Sequence, residues 1–449
     1  MVTKVGEVIA DRLVERTSRG LATAVSTAVG DGSLADGTRL PPIRLLASDL
    51  ALSPSTVSAA WRTLAAARVL RSDGRRGTVV TAHATPGPVR YRRALEHSSS
   101  FNLDLSTGMP DPDLLPDLGE ALSTLHRGGV SGSYLDDPIV PGLLEALSRD
   151  WPYDTSEFMI VDGAMDALDQ VSAHLLRVGD TVVVENPSFP PLLDLLDALG
   201  VRHVGIDVDE EGMMPSPFAE ALTRHPRAVF LQPRAHNPTG VSMSVARAHA
   251  LARLAATHSV VVIEDDSAGS VAVADPVSLG RWIPSRTVHV RSFSKSYGPD
   301  LRLAALSGPH EIVDALRERR LLGQGWTSRL LQGVLVELLT QPSTRRHVAR
   351  ARATYAARRR ALRAALEREG VSTMGDDGLN IWLPVHDETS ALIALASHGI
   401  GAAAGSPFST RSESASHIRV TAGLVTRDVA TVAHQLADAA MIRPYAGPR

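Results

Sequence analysis

The chain contains no cysteine, which excludes a disulfide framework, a thiolate metal site and a cysteine nucleophile, so its chemistry must rest on other groups. It lacks any apolar run near the roughly 18 residues a membrane span needs. Residues 1–20 carry charges where a secretory leader would be apolar. We therefore expect a soluble, cytoplasmic protein with neither membrane nor metal. Lysine is nearly absent too: of 46 basic residues, all but Lys4 and Lys295 are arginine. Arginine stays protonated and cannot form a Schiff base, whereas a lysine amine with a lowered pKa can. A lysine deep in such a chain marks a place where arginine would not serve.

What is present is a chain of 449 residues, 44% hydrophobic, enough for a large core and more than one domain. The net charge of −3 hides an asymmetry. Residues 1–100 hold 14 basic against 8 acidic side chains, which leaves 32 of the 46 basic and 41 of the 49 acidic residues for the remainder. A basic head on an acidic body points to a polyanion as the partner of the head.

Within residues 1–82, helical spacing of apolar residues over Val5–Val14 and Leu21–Val29 predicts two helices. Pro41 and Pro42 introduce a third, Ile43–Ala51. After a tight turn, Ser53 is a good N-cap and Pro54 suits the first position of a fourth helix, running to about Ala67. Val57, Trp61 and Leu64 share one face of it and are assigned to the core. Two β-prone runs, Val69–Arg71 and Thr78–Thr81, flank the turn Ser72-Asp73-Gly74-Arg75-Arg76-Gly77 and predict a hairpin. Two short helices across a tight turn followed by a wing form a winged helix-turn-helix, whose second helix enters the major groove.

The run "LPPIRLLASDLALSPSTVSAAWRTLAAARVLRSDGRRGTVV" resembles the winged-helix domain of the GntR regulators. The resemblance implies that double-stranded operator DNA is a partner. It makes Arg44, Ser55, Thr56 and Ser58, with Arg75, Arg76 and Gly77 on the wing, candidate contacts to phosphates and base edges. Many relatives carry Arg or Asn where this chain has Pro54 and Ser55, so base preference does not transfer. Residues 83–100, rich in Pro, Gly, Arg and Ser, read as a linker in which Arg90, Arg92 and Arg93 belong to a solvated tether.

From residue 101 to 449, helical stretches alternate with buried-strand runs: Thr181–Glu185, Ala228–Leu231, Val260–Glu264 and Thr287–Arg291. That alternation predicts an α/β domain with a mostly parallel sheet and ligands at the C-terminal ends of its strands. A long Arg-rich helix, Arg345–Glu369, falls within a smaller α+β subdomain that begins at about residue 340.

Several features recur at strand ends. Gly163, Ala164 and Met165 precede a helix, a position suited to phosphate. Phe189 lies between prolines in "ENPSFPP", where it could stack on a flat ring. Asn237 stands in "QPRAHNPTG", Asp265 closes "VVIEDD", and "RSFSKSYGPDLR" holds Ser292, Ser294, Lys295 and Arg302. This ordered set supplies what pyridoxal phosphate (PLP) demands: an amine for its aldehyde, a carboxylate for its ring nitrogen, a donor for its phenolic oxygen, and hydroxyls with a guanidinium for its phosphate.

Here the chain resembles the fold-type-I aminotransferases, and with its winged helix it is similar to the MocR subgroup of GntR regulators, from "LPPIRLLA" through "LDLSTGMPDPDLLP" to "SHIRVTAG". The resemblance implies Lys295 as the Schiff-base lysine, Asp265 rather than Asp266 as the ring-nitrogen partner, Asn237 at the phenolic oxygen and Phe189 over the ring. It places Ser292, Ser294, Arg302 and the backbone around Ala164 and Met165 at the phosphate. Arg419 corresponds to the arginine that grips a substrate carboxylate, here that of an amino-acid-like effector, and Tyr134 to a residue that reaches the neighbour's phosphate in a homodimer. One departure is plain: relatives commonly place a tyrosine after the acidic pair, where this chain has Ser267, Ala268 and Gly269. Its loss favours a sensor of PLP or an amino compound over the rival reading, an active PLP-dependent aminotransferase.

Overall fold

The computed structural model describes residues 3–66, 69–72, 77–80, 90, 101–128, 133–411 and 416–442. Four helices, α1 (Lys4–Ala10), α2 (Ser18–Gly30), α3 (Ile43–Asp49) and α4 (Pro54–Ala66), precede an antiparallel pair, β1 (Leu70–Ser72) and β2 (Thr78–Val80). The expected cap of α4 is present: Thr56 N donates to Ser53 Oγ at 3.0 Å, with Pro54 as the first helical residue. Val57, Trp61 and Leu64 lie in a core with Leu21, Val25 and Leu46, as their shared face predicted. Helix α1 is shorter than Val5–Val14. The amides of Arg12 and Leu13 bond three residues back, at 3.1 and 3.2 Å, tightening the chain into a turn that leaves Val14 exposed. Arg75, Arg76 and all of the linker but Arg90 lie outside the described residues.

After β3 (Leu103–Asp104), the body is built on β4 (Phe158–Val161), β5 (Thr181–Asn186), β6 (Arg202–Asp209), β7 (Gly212–Met213), β8 (Ala228–Leu231), β9 (Val261–Asp266), β10 (Thr287–Ser292) and β11 (Ala304–Ser307). They form one eight-stranded sheet in the order β4-β11-β10-β9-β8-β5-β6-β7. The central pairs are parallel, whereas β11 runs antiparallel to both its neighbours and β7 to β6. Along β5, Val182 and Val184 pack into one apolar layer and Val183 into the other, so helices cover both faces of a fully buried strand. The Arg-rich helix spans Pro342–Arg368, three residues longer at its start than the periodicity predicted because Pro342 takes the first helical position. It packs against the smaller sheet-and-helix unit formed by Ile381–Pro384, His417–Val420, Ala403–Ala404 and Val429–Met441. Strands β5, β8, β9 and β10 all end on the same edge, so the loops carrying Phe189, Asn237, Asp265 and Lys295 converge there.

Candidate cofactor site and nucleic-acid interface

Lys295 lies on the short helix Ser294–Tyr297, directly after β10, and its Nζ donates to Ser267 Oγ at 3.5 Å. Burial pushes this amine below the ordinary lysine range, Asp265 draws it back up, and Arg419 pushes it down again. Asp265, at the end of β9, accepts from Gln232 Nε2 at 2.8 Å through Oδ2. Its Oδ1 is buried without a partner among the described residues. Burial raises the Asp265 pKa, against the lowering effects of Gln232 and Lys295. The adjacent Asp266 is engaged elsewhere. Burial opposes its charge, yet Arg234, 2.6 Å away, and Arg291 hold it below the usual carboxylate range. Of the two acids, Asp265 is the one that lines the cleft.

At the opposite end of the cleft, Gly163 caps the helix Ala164–Leu175 with φ +106°. A Cβ placed there would stand 3.1 Å from Arg302 Nη2, a tight approach at a backbone conformation that favours glycine. Arg302 donates to Asp162 O at 3.0 Å, and Ser294 N donates to Ser292 Oγ at 3.3 Å. Ala164, Met165, Phe189, Asn237, Asp265, Ser292, Ser294, Lys295, Arg302 and Arg419 border one cleft of about 910 Å³, part of it open to solvent. An amine, a buried carboxylate with an unpartnered oxygen, and a glycine-capped helix N-terminus beside two hydroxyls and an arginine fit PLP group by group.

Arg419 donates to Ser106 O and, at 3.4 Å, to Asn237 Oδ1, and its guanidinium lies 5.2 Å from the Phe408 ring centroid. Sequence reasoning did not identify Gln232, which holds three site groups at once. Its Oε1 accepts from Asn237 N at 2.8 Å, and its Nε2 donates to Asp265 and, at 3.5 Å, to Ser267. The only signal was its position at the head of "QPRAHNPTG". Thr107 and Gly108, which also line the cleft, lie in the run "LDLSTGMPDPDLLP" without having been singled out, and Phe408 carried no signal. Tyr134 is not at this cleft: it is 86% exposed and edge-on to Trp326 at 5.7 Å.

On the head, Arg44 and Ser55 are exposed, and Thr56 and Ser58 are half-buried on either side of the core residue Val57 of α4. Gly77 enters β2 with φ +96°, a conformation that favours glycine. Arg90 is not a solvated tether residue. Its backbone N donates to Asp194 at 3.2 Å and its guanidinium to Asp197, on the helix Pro190–Ala198.

Residues 102–436 match the family "Aminotransferase class I and II", and residues 17–80 match "Bacterial regulatory proteins, gntR family". The chain belongs to the class I and II aminotransferase family and carries a GntR DNA-binding domain, the architecture of the MocR subgroup. It is 36% identical over 387 residues to the vitamin B6 salvage pathway transcriptional repressor PtsJ of Salmonella typhimurium, covering 84% of this chain and 87% of that protein. It is 28% identical to the HTH-type transcriptional regulator TauR of Rhodobacter capsulatus, over 80% and 81% of the two chains. The body shares the fold of Pyrococcus horikoshii kynurenine aminotransferase, with a TM-score of 0.69 at 23% identity over 80% of this chain and 95% of that one. The protein is a DNA-binding transcription regulator whose cofactor is PLP. Among the described residues, no helix is long and apolar enough to cross a membrane.

Proposed function

We propose that residues 1–82 bind operator DNA, residues 83–100 tether them, and residues 101–449, with their smaller subdomain from about residue 340, sense PLP or an amino-acid-like compound in the cytoplasm without efficient turnover. One observation carries this reading: a single cleft unites Lys295, the unpartnered Oδ1 of Asp265 and the Gly163–Arg302 cradle in a chain that begins with a winged helix. PLP supplies an aldehyde that bonds reversibly to primary amines and a ring that accepts electrons.

Lys295 is the residue that would bond it, and its lowered pKa keeps more of the amine in the neutral, nucleophilic form. Asp265 would pair with the protonated ring nitrogen and Asn237 with the phenolic oxygen, while Phe189 would cover the ring. Ser292, Ser294, Arg302 and the amides of Ala164 and Met165 would hold the phosphate. Arg419 would take an effector's carboxylate, a role its planar fork suits. Ser267 stands 3.5 Å from Lys295 Nζ where relatives place a tyrosine, so its long contact supports sensing over turnover. The likeness to a repressor of vitamin B6 salvage supports PLP itself as the sensed ligand.

The body also exposes Tyr134, edge-on to Trp326, and its chain neighbour Leu135, an apolar surface that supports a homodimer in which a second copy covers it. PLP would then change the placement of two heads on a repeated operator, which requires unequal affinity for two arrangements. The test is a gel shift on the protein's own upstream region, with PLP added and then removed, following absorbance and amino-acid turnover in the same sample. Binding that changes with PLP and occurs without turnover is expected. Turnover without specific binding would instead make the chain an aminotransferase.

A further inference from the structure

Among the described residues, the head meets the body around the turn Val178–Asp180. Val178 packs against the apolar core of the head, and its carbonyl accepts from Thr23 Oγ1 at 3.4 Å. The Arg19 guanidinium bonds the buried carboxylate of Asp180, and its aliphatic stem lies over Gly179. Arg19 and Thr23 stand four residues apart on α2, hence on one face, and α2 packs against α4. Ser55 stays exposed while this contact is made, so the seated head still presents its candidate DNA face.

The turn Arg177–Asp180 is joined to the cofactor cleft at both ends. Upstream is the helix Ala164–Leu175, whose first two residues line the cleft and whose 12 residues span about 18 Å. Downstream is β5, which leads to Phe189, also in the cleft. The turn itself is held stiffly: Arg177 N donates to Asp180 Oδ2 at 2.7 Å, Gly179 N to Gly200 O at 2.9 Å, and Arg202 N to Asp180 O at 2.8 Å. The second helix leaving the cleft, Pro190–Ala198, carries the Arg90 clamp of the linker. These two helices from the cleft therefore lead to contacts with the head or its tether.

We propose that Val178–Asp180 is the seat of the DNA-binding head, and that ligand at the cleft alters DNA affinity by shifting this seat through the helix Ala164–Leu175. The proposal rests on the sensing reading above and adds the joint through which it operates. A joint of this kind fails if it is locked and equally if it is cut.

The chain's lack of cysteine leaves an engineered pair as its only thiols. A Cβ at Gly179 would lie 3.8 Å from Arg19 Cβ, the mean separation in disulfides. The double variant Arg19→Cys/Gly179→Cys is oxidised, checked for an intrachain bond on a non-reducing gel, and compared with its reduced form and the wild type in gel shifts with and without PLP. Arg19→Ala is the cut. In the wild type, PLP is expected to change DNA affinity by at least about fivefold, and in the oxidised double variant and in Arg19→Ala by less than about twofold, with PLP absorbance unchanged in all. Formation of the bond between two chains would overturn the seat, as would a wild-type-sized PLP response in the locked or cut protein. Where strain at Gly179, φ +85°, keeps the pair open, Arg19→Ala decides. A wild type whose DNA affinity ignores PLP overturns the sensing reading itself, and the joint with it.

Discussion

The head and the cofactor cleft place their functional side chains in opposite ways. In the head, Val57, Trp61 and Leu64 fill the interior while Arg44 and Ser55 face water. In the body, Asp265, Asn237 and Arg419 are all at least nine-tenths buried. DNA is larger than the domain that reads it, so a polar face on a well-packed core suffices, and phosphate attraction supplies much of the affinity. A small cofactor must be desolvated and held from several sides, so its cleft keeps polar atoms away from water. The unpartnered Asp265 Oδ1 is the clearest case. The head can thus be stable and competent at once, whereas a cleft lined by desolvated polar atoms gives up stability that a bound ligand would contribute.

That contrast can be broken from either side. The largest effect is expected from Lys295→Ala, which should abolish the visible absorbance of the bound cofactor and weaken its retention on the order of 100-fold, leaving the head folded. Yellow colour surviving dialysis would sink the assignment. Leu64→Ala should do the reverse. Its side chain is fully buried in the head core, so about 2–5 kcal/mol of head stability is lost. Thermal melting followed by circular dichroism, with gel shift and absorbance alongside, should show DNA binding fail while cofactor colour persists. Asp265→Asn keeps the shape of the cleft but removes a charge-assisted bond of roughly 1.5–3 kcal/mol, so PLP affinity measured by titration should fall about 10- to 100-fold.

Two smaller effects sharpen the comparison. Glu185, buried behind the cleft, has its pKa raised from 4.5 to about 8, chiefly by desolvation. The folded chain then keeps a proton that the unfolded chain gives up between those values. The contribution is fully present below the unfolded pKa and is lost as pH rises through about 8. Glu185→Gln cannot ionise and should flatten the fall of body stability by up to about 1.4 kcal/mol per pH unit across that window, seen as a shallower pH dependence of Tm. An unchanged slope would show that Glu185 does not titrate there. Last, Arg44→Ala should weaken DNA binding modestly and reduce the slope of log affinity against log salt by about one, if Arg44 meets a phosphate. An identical salt slope would remove it from the interface.

Much of this molecule was legible in order along the chain. Ser53 capped α4 as expected because a cap acts on its own next few residues, and Val57, Trp61 and Leu64 faced inward because helical spacing dictates a face. Asn237, Asp265 and Lys295 met because each stands at or after a strand's C-terminal end and parallel strands end together. Gln232 was missed because nothing local distinguishes an amide that bonds Asp265, 33 residues away, from one that faces water. Arg90 was misread for the same reason, since its partner Asp197 lies 107 residues further on.

The amino-acid order alone therefore determined the two-part architecture, the strand-end placement of the candidate cofactor residues and the inward face of α4, all of which follow from backbone periodicity and local hydrogen bonding. Tertiary structure alone decided how Gln232 ties three site groups together, where Arg19 meets Asp180 and where Arg90 meets Asp197. Those outcomes depend on burial and charge contacts between segments that chain order leaves unconnected.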